Sequence, residues 1–95
     1  MATIYILTET HILRYTTDFK LVAQHHFTTG AFTQLADAQS CLSCKEERFK
    51  ERITKDNYNY ISIKHNTLET NEYTKKEDKE LLTSIEYKIE ELELQ

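Results

Sequence analysis

Among 95 residues this chain has a single glycine, Gly30, and no proline. Tight backbone reversals lean on these two residue types, glycine for its freedom at positive φ and proline for its fixed φ. The shortage excludes collagen-like, elastic-linker and low-complexity classes. It also limits chemistry. A loop that cradles phosphate needs several glycines for close backbone approach, and no such loop is present. There is no Gly-x-Ser-x-Gly elbow to present a nucleophile.

The ten aromatic residues, six Tyr and four Phe, speak for a packed core and against disorder. At 11.3 kDa the chain is expected to form one domain spanning residues 1–95. Two cysteines cannot build a disulfide scaffold. No apolar run approaches the roughly 20 residues of a membrane helix. The opening MATIYILTET has neither a basic start nor a small-residue cleavage site, so no signal peptide is expected. These features predict a cytoplasmic protein without membrane contact.

Charge is distributed unevenly. Residues 1–68 carry a net of +1, while residues 69–95 carry −5 and so account for the overall −4. The first 28 residues are rich in Thr, Ile, Tyr, Val and Leu, which suit a pleated surface. They predict a β-meander of three strands, 3–8, 11–16 and 19–28, with breaks at Glu9-Thr10 and Thr17-Asp18. Gly30 follows, and its uniqueness predicts a positive φ there, with Thr29 or Thr33 capping a helix. Over 33–54, Leu35, Ala38, Leu42, Phe49 and Ile53 fall on one helical stripe. Residues 58–65 alternate as a strand, with Tyr58 and Tyr60 on one side and Ile61 and Ile63 on the other. Residues 66–74 read as polar loop. Leu81, Leu82, Ile85, Ile89 and Leu92 form a second stripe, predicting an acidic C-terminal helix over 75–93. Its lysines lie near the start and its glutamates near the end, against the helix dipole, so tertiary contacts would have to hold it. The expected fold is therefore α+β: a three- to four-stranded antiparallel sheet in βββαβα order, packed with two helices.

Cys41-Leu-Ser-Cys44 is the motif with most chemical potential, since a Cys-x-x-Cys pair is half of a zinc site or the core of a thiol redox site. Helical geometry puts Cys41 beside the buried stripe and Cys44 away from it, with no further ligand pair on that helix. The pair reads as two ordinary thiols, the outer one available to an interface; a zinc or thiol module is the alternative. His25 and His26 are neighbours in a strand, so their rings point to opposite faces and do not converge on one metal. His11 and His65 read as surface residues. No cofactor or metal is expected. The carboxylate pairs Glu46-Glu47, Glu77-Asp78 and Glu90-Glu91 read as solvated faces, not as an acid–base pair.

Lys45, Arg48, Arg52 and Lys55 line one flank of the first helix and could track phosphates, which makes a nucleic-acid-binding module a further alternative. Interspersed Glu47 and Glu51 and the acidic balance argue against it. Glu86, Glu90, Glu91 and Glu93 could imitate a phosphate row and occupy a basic channel. The strands are apolar on both faces, which predicts a contact surface and a homodimer. The expected function is thus non-catalytic. It is a small protein-binding factor acting stoichiometrically, an accessory inhibitor or adaptor that targets a nucleic-acid-processing or defence complex. Phages and mobile elements encode many such proteins, anti-CRISPR inhibitors included. The expected contacts are Arg48, Arg52 and Lys55 for charge pairing, Tyr58 and Tyr60 as aromatic anchors, and Glu86, Glu90 and Glu91 against a basic patch.

Overall fold

A computed structural model describes residues 2–52, 60–64, 66–76 and 79–94. The elements run β1 (Ala2–Tyr15), β2 (Leu21–Phe32), α1 (Leu35–Arg52), β3 (Tyr60–Lys64), β4 (Thr67–Lys76) and β5 (Lys79–Leu94). All five strands form one antiparallel sheet in the order β2-β1-β5-β4-β3. The chain leaves the sheet at one edge, β2, and re-enters at the other, β3. The segment between them has to cross the sheet, and α1 packs on one sheet face along that crossing.

This architecture corrects the expected βββαβα fold with two helices: the described residues form one helix and a five-stranded sheet. The segment expected to be an acidic helix over 75–93 is instead the end of β4 and the whole of β5, the middle strand. Every residue from Lys79 to Leu94 pairs with β4, β1 or both. Bonding on two sides outweighs the helix preference of Leu, Glu and Lys, because propensity is a weak prior against tertiary context. The expected polar loop at 66–74 is β4, whose Thr and Tyr residues are good strand formers. The predicted break at Glu9-Thr10 does not exist. β1 runs through it without interruption, so Leu13 and Tyr15 share a face with Tyr5 and Leu7.

α1 covers residues 35–52 of the helix expected over 33–54; Ile53 of its stripe lies outside the described residues. Ala38 and Phe49 are buried, and Leu35, Cys41 and Leu42 are half-buried against Leu7 and Ile89. The first-turn amides of Asp37 and Ala38 donate to the Gln34 carbonyl. Thr29, one of the expected caps, lies in β2 instead. Period-two alternation puts Leu7, Glu9 and His11 of β1, and Ile85, Tyr87 and Ile89 of β5, on the α1 side. Tyr87, which helical spacing would set apart from the Ile85–Ile89 stripe, packs against this core.

The turns are made without glycine. Lys64 pairs with Thr67, leaving a two-residue connection, and Asn66 there takes φ 56°. Asparagine tolerates that left-handed conformation better than other side-chain-bearing residues. Between β1 and β2, Asp18 Oδ1 accepts from the Lys20 amide at 3.0 Å, and Phe19 takes φ 55°. Gly30 does not have the expected positive φ. It sits in β2 beside a bulge at Thr29, and a Cβ there would lie 3.2 Å from the Phe32 ring. Gly30 therefore makes room for an aromatic core residue. Ala at this position relieves strand-interior glycine entropy but pushes Phe32 away from Leu7. Because Phe32, half-buried, packs against that core, we expect Gly30→Ala to lower stability by about 1 kcal/mol in a urea titration. No helix among the described residues is long and apolar enough to cross a membrane.

Candidate functional site

Two charged constellations lie on opposite faces of the sheet. Under α1, the Glu9 side chain points inward from β1 and the residue is only 5% exposed. His11 Nε2 donates to Glu9 Oε2 at 2.8 Å, and Lys45 Nζ of α1 lies 3.3 Å from Glu9 Oε1. Thr29 leans toward the same carboxylate without reaching hydrogen-bond geometry. Burial by itself pushes the Glu9 carboxyl up. The His11 hydrogen bond and the Lys45 charge outweigh it, and the carboxyl titrates below its ordinary value. His11 is held in turn by stacking on Phe27 of β2, ring centroids 5.2 Å apart. The cluster ties the helix to two strands. A cleft of about 310 Å³ opens beside it, bordered by Arg48, Phe49, Ile85 and Tyr87. Both carboxylate oxygens of Glu9 are engaged, so the arrangement neutralises a buried charge and leaves no free base.

On the other face the sheet presents Glu86, Lys88 and Glu90 of β5, all exposed. Register places Glu69 of β4 directly opposite Glu86. Like charges in that relation destabilise a sheet. Glu69 is steadied from beside it: Asn71 Nδ2 donates to Glu69 Oε1 at 3.3 Å, and Ser84 Oγ donates to Asn71 Oδ1 at 2.6 Å. Asn71 is 2% exposed, so this ladder fixes the strand pair beneath the acidic row. Lys88 Nζ lies 3.8 Å from Glu90 Oε1, with both side chains more than half exposed. Such a surface pair is weak and leaves the row net acidic.

The expected site residues are redistributed by this fold. Glu86 and Glu90 share a face, but Glu91 pairs with Tyr5 on the α1 side. The expectation of one acidic helical flank is thus corrected to two faces of a strand, because adjacent strand residues point oppositely. Arg48 borders the cleft and makes no ion pair among the described residues. Lys45 of the basic stripe is committed to Glu9. Lys50, which is not on that stripe, pairs with Glu46 at 2.7 Å one turn away. Arg52 closes α1; its side chain, that of Tyr60, and the whole of Lys55 and Tyr58 lie outside the described residues. Tyr60 is placed by register opposite Asn71. Cys41 is half-buried against the core and Cys44 is exposed, both free thiols. No group of three potential metal ligands occurs among the described residues.

Sequence reading missed Glu9 and Glu69. The sequence pattern puts Glu9 at a predicted turn and Glu69 in a predicted loop. The available signal was an isolated acid inside a run of strand formers, where an inward charge needs partners. Scans against protein-family models, curated proteins and solved structures each found no match to this chain.

Proposed function

We propose that the protein is a non-catalytic, stoichiometric protein-binding factor that uses the acidic row on the sheet face away from α1 to engage a basic surface of its partner. The observation that carries this reading is Glu69 set directly opposite Glu86, with Glu90 further along β5 on the same face. Opposed carboxylates cost stability in the free protein, and a cationic partner removes that cost. A partner that ordinarily holds phosphates fits this chemistry, in keeping with an accessory inhibitor that occupies a nucleic-acid site.

The basic helix flank supports a nucleic-acid-binding reading less well, since Lys45 is spent on Glu9. The two readings separate in one experiment. Tagged protein is used to capture partners from lysate of the source cell, with and without nuclease, as wild type, Glu86→Lys/Glu90→Lys and Arg48→Glu. The expected result is one protein at equimolar ratio, retained after nuclease and by Arg48→Glu, and lost at least tenfold in the double lysine variant. Loss on nuclease treatment or in Arg48→Glu would overturn the proposal in favour of nucleic-acid binding. Glu69→Gln gives a second signature. It keeps the acceptor for Asn71 while removing the opposed charge. It is expected to raise stability by a few tenths of a kcal/mol while weakening partner binding.

A further inference from the structure

The two edges of the sheet differ. β3 is a five-residue strand ending in Lys64. Short strands and edge lysines are ordinary protections against unwanted strand pairing. β2 is twelve residues long and contains no Asp, Glu, Lys, Arg or Pro. Its outward backbone donors and acceptors have no partner strand in the sheet order. Phe27 is 46% exposed, and Gln24, His25, His26 and Thr28 are also exposed. Bulges at Val22 and Thr29 bound a regular run, residues 23–28.

We propose that a second copy of this chain pairs antiparallel along this run of β2, joining two five-stranded sheets into one across a two-fold axis at His25. Two-fold pairing within one sheet keeps each residue on its own face, so only residues of matching face can sit opposite one another. Centring on His25 sets Ala23 against Phe27 of the second copy on the α1 side. It sets Gln24 against His26 of the second copy on the other side. Apolar meets apolar, and polar meets polar. Moving the centre to Gln24 or His26 instead sets histidine against Ala23 or Phe27.

A separate feature points to the same register. On the α1 side next to Ala23 there is a hollow of about 200 Å³ bordered by Leu13, His25 and Thr83. Phe27 of the second copy would stand directly across from Ala23, at the margin of this hollow, and symmetry repeats the contact. The run has no formal charge in a chain of net −4, so it is the part of the surface that a second copy can approach without repulsion.

The test uses the full chain. Light scattering is expected to give about twice the 11.3 kDa chain mass, falling to the single-chain value in Ala23→Lys. In a Cys41→Ser/Cys44→Ser background, His25→Cys is expected to form a covalent dimer on mild oxidation, because directly opposed strand residues lie within disulfide reach. Gln24→Cys, which faces His26 of the second copy and not itself, is expected to cross-link far less. A monomeric wild type, a dimer that survives Ala23→Lys, or cross-linking through position 24 in preference to 25 would each overturn the proposal. The surface is independent of the acidic row: Glu86→Lys/Glu90→Lys is expected to leave the mass unchanged, so either proposal can fail without the other.

Discussion

Leu7→Ala is expected to remove about 3 kcal/mol of stability, enough to lower Tm by roughly 15 °C in a chain of this length. Leu7 is completely buried in β1 and packs against Ala38 of α1 and Ile89 of β5. It is the residue through which the helix, the first strand and the last strand share one core. Truncation opens a void between a helix and a hydrogen-bonded sheet, neither of which can collapse easily to fill it. A domain whose total stability is of the order of 5–15 kcal/mol feels such a loss strongly. Leu92→Ala is the matched control, since Leu92 is 46% exposed on β5 and should change stability by less than about 0.5 kcal/mol. Thermal unfolding followed by circular dichroism checks both. A loss below about 1 kcal/mol for Leu7→Ala would mean that the last segment does not pack against β1 as described.

The second large effect concerns Glu9. Glu9→Gln is expected to cost about 2 kcal/mol at neutral pH, because it removes the charge that Lys45 and His11 are arranged around. The cost stays below that of a fully buried pair, since Lys45 and His11 each keep some access to water and can rehydrate. The pH dependence has a definite sign. The folded-state carboxyl titrates below its ordinary value of 4.5. The stabilisation is therefore fully present above that ordinary value. It is lost as pH falls from there through the lower folded value, where the native carboxylate finally takes up a proton. Urea midpoints measured across the acid range should fall for the wild type in this window and fall less steeply for Glu9→Gln. Equal acid slopes in the two proteins would show that Glu9 is not held ionised by its partners.

The helix is legible because its signal is unambiguous, whereas the three strands expected before it are two, β1 and β2. Leu35, Ala38, Leu42 and Phe49 recur at helical spacings that a strand cannot satisfy, and α1 follows them. The second half misleads for a geometric reason. Ile85 and Ile89 are four residues apart, a spacing that falls on one face of a helix and also on one face of a strand. Tyr87 breaks the tie. In a helix it leaves the stripe; in a strand it joins it, with Glu86, Lys88 and Glu90 alternating to the other side. Strong helix formers around these positions pulled the reading the wrong way. The candidate sites followed the same division. Helical spacing puts Arg48 and Lys45 on one flank of α1, but nothing local to that flank reveals that Lys45 reaches a carboxylate 36 positions earlier in the chain. Nor does residue 69 look like anything but loop until β4 is paired.

What the sequence determined by itself was local: where the helix lies, that the N-terminal segment is extended, that acid is concentrated in the last quarter, and that turns would have to be made almost without glycine. These follow from side-chain period and backbone preference, which act over a few residues. The tertiary structure decided the rest. It made β5 a strand by bonding it to β1 and β4 at once, and it sank Glu9 under the helix. It split the C-terminal acids between two faces, setting Glu86 against Glu69, and it left β2 at an edge. Each of these depends on partners far away in the chain, and a hydrogen-bonded ladder can overrule local preference because it pairs the middle strand on both sides over residues 81–88.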